Sequence, residues 1–450
     1  MNGAAKFFPA APGSGIFRCM AARLNLRGCA GLALLASIAG PAGAAPIPPP
    51  VTSAPAAGPA KENALIFLSA DGTVVYIVGP IMDDSFLRFD ALLLGAPRVR
   101  TVYLASPGGL TIEGRLIAAL VRKRQLDTYV EQYCASACTQ VFVSGRERVL
   151  GPEGELGFHQ AVGVDDSGET SAIAAASTRH LSPLSVFGIN GNDTLRLAYE
   201  QAGLDQPFIA KALSRGHEDM WLPAPAELSA AHVITRHAQR SEVAPPAGSH
   251  SRAEIAAMLE DRPMWRAARS ALPAAYAAGL NDAWRRANSG SGLDEAISSG
   301  RAAIVLAAWP LLAAASDPIL DRMLSLYADS ARGQRLRDYP MCKETLDDNA
   351  GAIDPMDGAF ESTEDALLID LFSAPGPAKA LSADDARKIF DRDVVPLMVK
   401  SYLATDIKST SASCRLGFQI FEAIDQLPAK KRIKAYRALL TLPEMADGAA

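Results

Sequence analysis

Three short segments of the sequence contain the residue types that acyl chemistry needs: Ser106-Pro107-Gly108-Gly109, Cys134-Ala135-Ser136-Ala137-Cys138 and Gly157-Phe158-His159-Gln160. A serine hydroxyl is a weak nucleophile until a neighbouring base takes its proton, and histidine is well suited to do this near neutral pH. Glycine has no side chain, so its backbone N–H group can approach a substrate carbonyl closely. We therefore interpret Ser136 as a candidate nucleophile and His159 as a candidate general base.

The residues around these segments predict the elements that position them. Short apolar runs rich in β-branched and aromatic residues, such as 102–104 and 128–133, predict buried strands before the segments. Two of the strands lead into helical patterns, over residues 110–124 and 138–143. A repeated order of strand, small-residue turn and helix predicts a βαβ sheet, in which ligands bind at the carboxyl ends of the strands.

The order Ser-Pro-Gly-Gly, Ala-Ser-Ala and Phe-His-Gln resembles the Clp protease proteolytic subunit and its relatives, including signal peptide peptidases, within the ClpP/crotonase superfamily. The resemblance covers residues 63–235. It implies an α/β fold, a ClpP/crotonase-like spiral of ββα units, with Ser136 as the nucleophile and His159 as the base. In that family, helical regions beyond the histidine contribute to oligomer contacts, which implies a homo-oligomer.

The resemblance also names the groups that would assist the serine. The family's oxyanion hole matches the backbone N–H groups of Gly109 and Ala137, with Ser106-Pro107-Gly108 as the supporting turn. The family's third catalytic residue is an aspartate before an aromatic-leucine step and a segment rich in Pro, Ala and Glu, which matches Asp219. Two features depart from the family: cysteines flank the serine in place of glycine and methionine, and residues 163–192 lengthen the segment before the aspartate.

The N-terminus has the features of an export signal. Arg23 and Arg27 precede an apolar run over residues 28–39, and Ala42-Gly43-Ala44 has the small-residue form of a cleavage site. This predicts a signal peptide over residues 1–45 and an exported, periplasmic protein. An uncleaved membrane anchor is the alternative, because the apolar segment is almost long enough to span a bilayer.

The cysteines of an exported chain favour disulfides. Four of the six cysteines lie beyond the signal, and Cys342 and Cys414 form the natural pair in the C-terminal part. One helical turn would place the Cα atoms of Cys134 and Cys138 about 6 Å apart, within reach of a bridge that would pin the serine turn. Two buried thiols or a redox pair are the alternatives. No second Cys or His pair stands at ligand spacing nearby, so we predict no metal site and no cofactor.

The length of the chain limits the number of domains, and its net charge limits the class of binding partner. The chain has 450 residues and a formal charge of −5, to which the first 45 residues contribute +4, leaving −9 for the rest. Such a length accommodates two or three domains. An acidic body without a basic cluster argues against nucleic acid as a partner.

Composition and periodicity divide the chain into five parts: the signal, a Pro/Ala-rich spacer over 46–62, the ClpP/crotonase-like domain over 63–240, a linker over 241–252, and a second, all-α domain over 253–450. Asp71-Gly72 predicts a hairpin in the α/β domain. The following ranges of the C-terminal part have helical spacing: 251–259, 265–280, 319–328, 366–372, 383–403 and 416–424. The apolar run 302–315 predicts a core helix.

Three function classes fit these features. The first is an exported serine hydrolase, a peptidase that acts on a peptide or protein through a Ser-His-Asp triad. The second is a non-catalytic scaffold of the same fold that binds peptide or protein through its helical part. The third, acyl-CoA chemistry of the crotonase type, is disfavoured because an exported protein meets little coenzyme A. The sequence also shows no basic patch for the coenzyme's phosphates.

Overall fold

The computed structural model describes residues 63–161, 163–164, 170–171, 191–216, 219–336, 355–373, 381–397, 399 and 411–442. The sequence predictions for the signal peptide and the spacer lie outside these residues. The strands are β1 (Leu65–Leu68), β2 (Val74–Val78), β3 (Thr101–Ala105), β4 (Asp127–Val130), β5 (Tyr133–Ala135), β6 (Arg148–Leu150), β7 (Glu155–Gly157), β8 (Gly163–Val164), β9 (Thr170–Ser171) and β10 (Arg236–His237).

A six-stranded sheet runs in the order β1-β2-β3-β4-β6-β10, and all its neighbours are parallel except the β1–β2 pair. Strands β5 and β7 form a separate parallel pair, and β8 and β9 form an antiparallel one. The structure thus confirms a largely parallel sheet in which strand, turn and helix alternate. The predicted Asp71-Gly72 hairpin is also confirmed, because it joins β1 to β2.

The helices of the N-terminal half are α1 (Ser85–Leu94), α2 (Thr111–Lys123), α3 (Ala137–Val143), α4 (Gly191–Gln201), α5 (Gln206–Ser214) and α6 (Pro225–Ala230). They bury one face of the sheet in an apolar core that includes Phe89, Ile117 and Phe142. The opposite face carries a row of tyrosines in register. The rings of Tyr76, Tyr103 and Tyr129 follow one another at centroid distances of 5.1 and 5.8 Å.

The single strand predicted over residues 128–133 is divided in the structure, because Glu131 and Gln132 interrupt it and its two ends belong to strands of two different sheets. The chain leaves the main sheet at Glu131 and Gln132, whose buried polar groups accept hydrogen bonds from the hydroxyls of Tyr129 and Tyr103. Buried polar side chains need such partners, and these bonds hold the bend between β4 and β5. The segment with Ser136 therefore follows β5 in the small sheet.

Every regular element described between residues 252 and 442 is a helix. These are α7 (Arg252–Glu260), α8 (Pro263–Ala271), α9 (Pro273–Ala287), α10 (Leu293–Ala313), α11 (Asp317–Leu336), α12 (Pro355–Ser373), α13 (Ala383–Asp393), α14 (Ser411–Asp425) and α15 (Ala429–Thr441). We call residues 252–442 the helical half. A second apolar core, with Trp265, Trp284 and Tyr327 among its members, lies within it.

Local sequence signals explain several boundaries in the helical half. Ser251 begins α7 with a capping box: its side chain accepts from the Glu254 N–H, and the Glu254 side chain accepts from the Ser251 N–H. Pro273 divides the predicted helix over 265–280 into two, because proline has no N–H to continue the helix. Helix α15 was not predicted, since its first turns are rich in lysine and arginine and its apolar face is short.

Helix α10 extends the predicted core helix toward the N-terminus. Among the described residues it is the one helix that is long and apolar enough to cross a membrane by length and composition, and most of its apolar window is buried. Its buried Arg301 pairs with Glu364 and Asp365 of α12, each at 2.6 Å. A buried charge needs such partners, and this ion pair fixes how α10 packs against α12.

Candidate active site

Ser136 occupies the turn between β5 and α3. Its backbone has φ 54° and ψ −125°, and it is one of four residues other than glycine with positive φ in the described chain. A side chain costs free energy in this region of backbone conformation, and such strain concentrates at functional sites. A sharp, strained strand-to-helix turn also exposes the nucleophilic serine of α/β-hydrolases. Ser136 remains partly exposed, whereas its neighbours Ala135 and Ala137 are buried.

Three glycines let backbone pack closely around this turn. A Cβ atom on Gly108 would lie 2.7 Å from Ser136 Cβ and 3.0 Å from the Ala137 nitrogen. A Cβ atom on Gly114 of α2 would lie 2.7 Å from the Ala137 carbonyl oxygen, and one on Gly157 would lie 2.9 Å from Ala135 Cβ. Neither Gly114 nor Gly157 was assigned a role from the sequence, because their close approaches involve residues distant in the chain.

The backbone around Gly109 directs its N–H group away from Ile81, which follows β2 in the chain. Ile81 donates its N–H to the Gly108 carbonyl at 2.7 Å, and Leu110 donates its N–H to the Ile81 carbonyl at 2.8 Å. In such a parallel bridge the residue between these two bonds turns its own N–H to the opposite side. The Gly109 N–H is therefore turned away from Ile81, and the adjacent Gly108 packs against Ser136, which makes this N–H a candidate oxyanion donor.

The Ala137 N–H stands at the start of α3. The first N–H groups of a helix have no carbonyl partner within the helix. The supporting turn is held by Ser106, a buried residue whose hydroxyl accepts the Gly108 N–H at 3.1 Å. These positions agree with the roles that the sequence suggested for Gly109, Ala137 and Ser106, which as catalytic roles stay predictions.

His159 follows β7, the strand that pairs with β5. The two strands place Ala135 opposite Gly157, and the Ser136 N–H donates to the Gly157 carbonyl at 3.0 Å. His159 is buried, with 6% of its surface exposed. The prediction that the serine and the histidine follow neighbouring strands is thus confirmed, and the catalytic role of the histidine stays a prediction.

Asp219 lies on a segment that pairs with the chain around His159. Phe158 and Trp221 exchange two backbone hydrogen bonds of 2.9 Å, which brings Met220 close to Gly157. The Asp219 carboxylate forms an ion pair of 2.9 Å with Arg215, and both side chains are about one-third exposed. The structure therefore brings the aspartate to the neighbourhood of the site and gives its carboxylate a surface partner.

A disulfide joins Cys134 to Cys138, with Cα atoms 5.5 Å apart. It confirms the bridge among the three alternatives left open by the sequence. Both cysteines are fully buried, and Ser136 is the central residue of the closed loop. Of the other predicted pair, Cys342 and the side chain of Cys414 lie outside the described residues.

Sequence reasoning missed a hydrogen-bonded group behind the serine. Thr139 donates its hydroxyl to the Ser136 carbonyl at 2.6 Å, and the same hydroxyl lies 2.7 Å from that of Tyr199 on α4. Burial raises the pKa of Tyr199, so its hydroxyl stays protonated and can donate to Thr139. A threonine three residues after Ser136 could have suggested a hydrogen bond to the Ser136 carbonyl. The partner of its hydroxyl, Tyr199, lies 60 residues further along the chain and could not be found in this way.

Comparison with known proteins gives a structural likeness without a sequence family. No protein-family model matches the sequence, and no curated protein matches it. Among solved structures, the chain is similar to ClpP1 from Listeria monocytogenes, with 16% sequence identity and a TM-score of 0.30. That alignment covers 38% of this chain and 94% of ClpP1. A point mutant of the same ClpP1 gives a TM-score of 0.29 at the same identity and coverage.

Proposed function

We propose that this protein is an exported serine hydrolase that cleaves peptides or proteins. Ser136 attacks the substrate carbonyl, and His159 takes the serine proton and passes it to the leaving group. Asp219 orients the histidine, while the backbone N–H groups of Gly109 and Ala137 bind the oxyanion. The chain would use an α/β domain of the ClpP/crotonase type for this chemistry, with the helical half as a second domain.

The strained turn at Ser136 is the observation that carries the proposal. Ser136 has φ 54° and packs against Gly108, which has no Cβ atom. A glycine at position 136 would adopt the same conformation without strain, so the fold alone does not call for a serine there. Strand β7 pairs with β5, the strand before this turn, and His159 lies four residues after Glu155, the first residue of β7. The pairing of the two strands that precede Ser136 and His159 supports the assignment of serine and base to one site.

Covalent labelling tests the proposal. A fluorophosphonate probe reacts with an activated serine, so we expect the wild-type protein to be labelled and Ser136→Ala to remain unlabelled. Ser214→Ala removes an exposed serine hydroxyl on α5 and serves as the matched control, which should label as wild type does. Peptide mapping should recover the adduct on Ser136. Equal labelling of wild type and Ser136→Ala would rule out this nucleophile.

Export is a separate part of the proposal. If the signal is cleaved, N-terminal sequencing of the protein from a periplasmic fraction should give a first residue near Ala45. An intact N-terminus on a membrane-bound form would instead indicate an anchor.

The ion pair between Arg215 and Asp219 favours one alternative, a scaffold that binds peptide without turnover. In that case the Asp219 carboxylate pairs with Arg215 at the surface and does not orient His159. Such a protein would bind peptide in calorimetry and show neither labelling at Ser136 nor hydrolysis. Labelling of Ser136 by the probe would therefore decide against the scaffold.

A further inference from the structure

Two arginines of the helical half hold the first residue of β7. Arg285 donates from Nε to one carboxylate oxygen of Glu155 at 2.6 Å, and Arg252 donates from Nη2 to the other at 2.9 Å. The Arg285 side chain is 10% exposed and that of Glu155 is 22% exposed. Each carboxylate oxygen of Glu155 thus accepts a hydrogen bond from a different arginine, which restricts rotation of the side chain. Hydrogen bonds between charged groups are also stronger than neutral ones.

The contact extends to both strands of the small sheet. Glu155 on β7 is the register partner of Tyr133 on β5, and the Arg285 guanidinium lies 5.7 Å from the centre of the Tyr133 ring. Arg252 also donates its backbone N–H to Glu153 at 3.3 Å, and its guanidinium lies 4.2 Å from the Trp284 ring centre. The helical half therefore contacts the first residues of β5 and β7, the two strands that precede Ser136 and His159.

These two strands are short and rely on neighbouring segments for their position, among them Ser106 beside β5 and Trp221 beside the residue after β7. Each has three residues, and a two-stranded sheet of that length is marginally stable by itself. The register at their far end nevertheless sets the site, because the Gly157 carbonyl accepts the Ser136 N–H and His159 follows two residues later. A displacement of β7 would move the histidine relative to the serine, and a shift of about 1 Å can cost a large factor in rate.

We propose that Glu155, held by Arg252 and Arg285, is a positioning residue that fixes His159 relative to Ser136. The helical half thereby takes part in the chemistry without touching the substrate. This inference rests on the proposed function, because it concerns the same serine and histidine.

The test compares labelling kinetics of the full chain. For Glu155→Gln, which weakens both charged bonds at constant size, we expect the maximal rate of fluorophosphonate labelling to fall by about tenfold or more. The probe concentration at half-maximal rate should change little. Arg285→Lys keeps the charge and should retain more of the rate than Arg285→Met. Arg322→Gln removes an exposed ion pair with Asp370 inside the helical half and should label as wild type does.

A second readout separates the possible failures. The ring resonances of His159 in NMR spectra should shift, and titrate at a different pH, in Glu155→Gln and not in Arg322→Gln. If wild type is labelled and Glu155→Gln has the same maximal rate, the positioning role is wrong while the proposed function stands. If wild type is not labelled, the proposed function fails. If, in addition, the His159 resonances of Glu155→Gln equal those of wild type, the positioning role is overturned as well. Should Glu155→Gln not fold, the Arg285→Lys and Arg285→Met pair gives the same comparison.

Discussion

The Cα atom of Gly108 packs directly against Ser136, so that a Cβ atom on the glycine would lie 2.7 Å from Ser136 Cβ. Gly108 also has φ +103°, a conformation that side chains rarely adopt. Under the proposed function, both constraints act where a substrate carbonyl would reach the serine and the backbone donors. The glycine turn and the serine turn therefore form a single unit in space, although 28 residues of sequence separate their key residues.

Gly108→Ala should disrupt this unit. The new methyl group would push Ser136 and Ala137 away from the turn, and we expect the labelling rate to fall by about 100-fold. The matched control is Gly203→Ala: Gly203 also has positive φ, at +75°, but a Cβ there would meet nothing within 4 Å. Both variants should lose about 1–3 kcal/mol of unfolding free energy from backbone strain. Comparable labelling of the two variants would contradict the close-packing argument.

The role of Asp219 can be separated from its ion pair. If Asp219 orients His159, Asp219→Asn should lower turnover by about 10⁴-fold, because the amide favours the wrong histidine tautomer. Arg215→Gln removes the other half of the pair and should lower turnover far less, because it leaves the Asp219 carboxylate in place. The measurement is kcat on a peptide or ester substrate. Equal, small effects in the two variants would leave Asp219 as a surface carboxylate and the site as a Ser-His dyad.

The disulfide should matter for the serine more than for the rest of the fold. We expect Cys134→Ala/Cys138→Ala to label at least about tenfold more slowly, because residues 134 and 138 are no longer tied across the turn. Loss of a bridge that closes so short a loop costs about 2 kcal/mol of unfolding free energy in the chain-entropy estimate.

Reduction with a dithiol tests the same bond in the wild type. Labelling should slow and recover on reoxidation, while the double variant should not respond to the reductant. A wild type that labels equally fast after complete reduction, checked by thiol titration, would show that the bridge does not support the nucleophile turn.

The bend between β4 and β5 predicts a pH dependence of stability. Burial raises the pKa of Glu131, although the hydrogen bond from Tyr129 partly opposes the shift. A carboxyl group whose folded pKa lies above its unfolded pKa favours folding most when it is protonated. This contribution is lost as the pH rises from the unfolded pKa through the folded one.

Glu131→Gln should therefore gain stability relative to wild type as the pH is raised. Urea denaturation at about pH 4.5 and about pH 7.5 measures the change, and the difference between variant and wild type should favour the variant more at the higher pH. Glu200→Gln, at an exposed position on α4, is the control and should show no such trend. A trend of opposite sign would mean that the carboxylate is stabilised in the fold.

The sequence by itself determined the local architecture around the candidate site. Apolar runs stopped by small residues predicted the strands, and helical spacing predicted α2 and α3, because such patterns depend on the geometry of a few consecutive residues. The order of the motifs identified Ser136 as the candidate nucleophile and His159 as the candidate base. Pro273 likewise marked a helix boundary, since proline lacks an N–H group to continue a helix.

Only the tertiary structure decided which distant residues share the site. The run over 128–133 divides between two sheets because buried hydroxyls bond Glu131 and Gln132 at the bend. Gly108 meets Ser136, and Arg285 reaches Glu155 across 130 residues of chain. No pattern of neighbouring residues records such contacts, because their free energy arises from close packing and from the desolvation of charges that meet after the chain has folded.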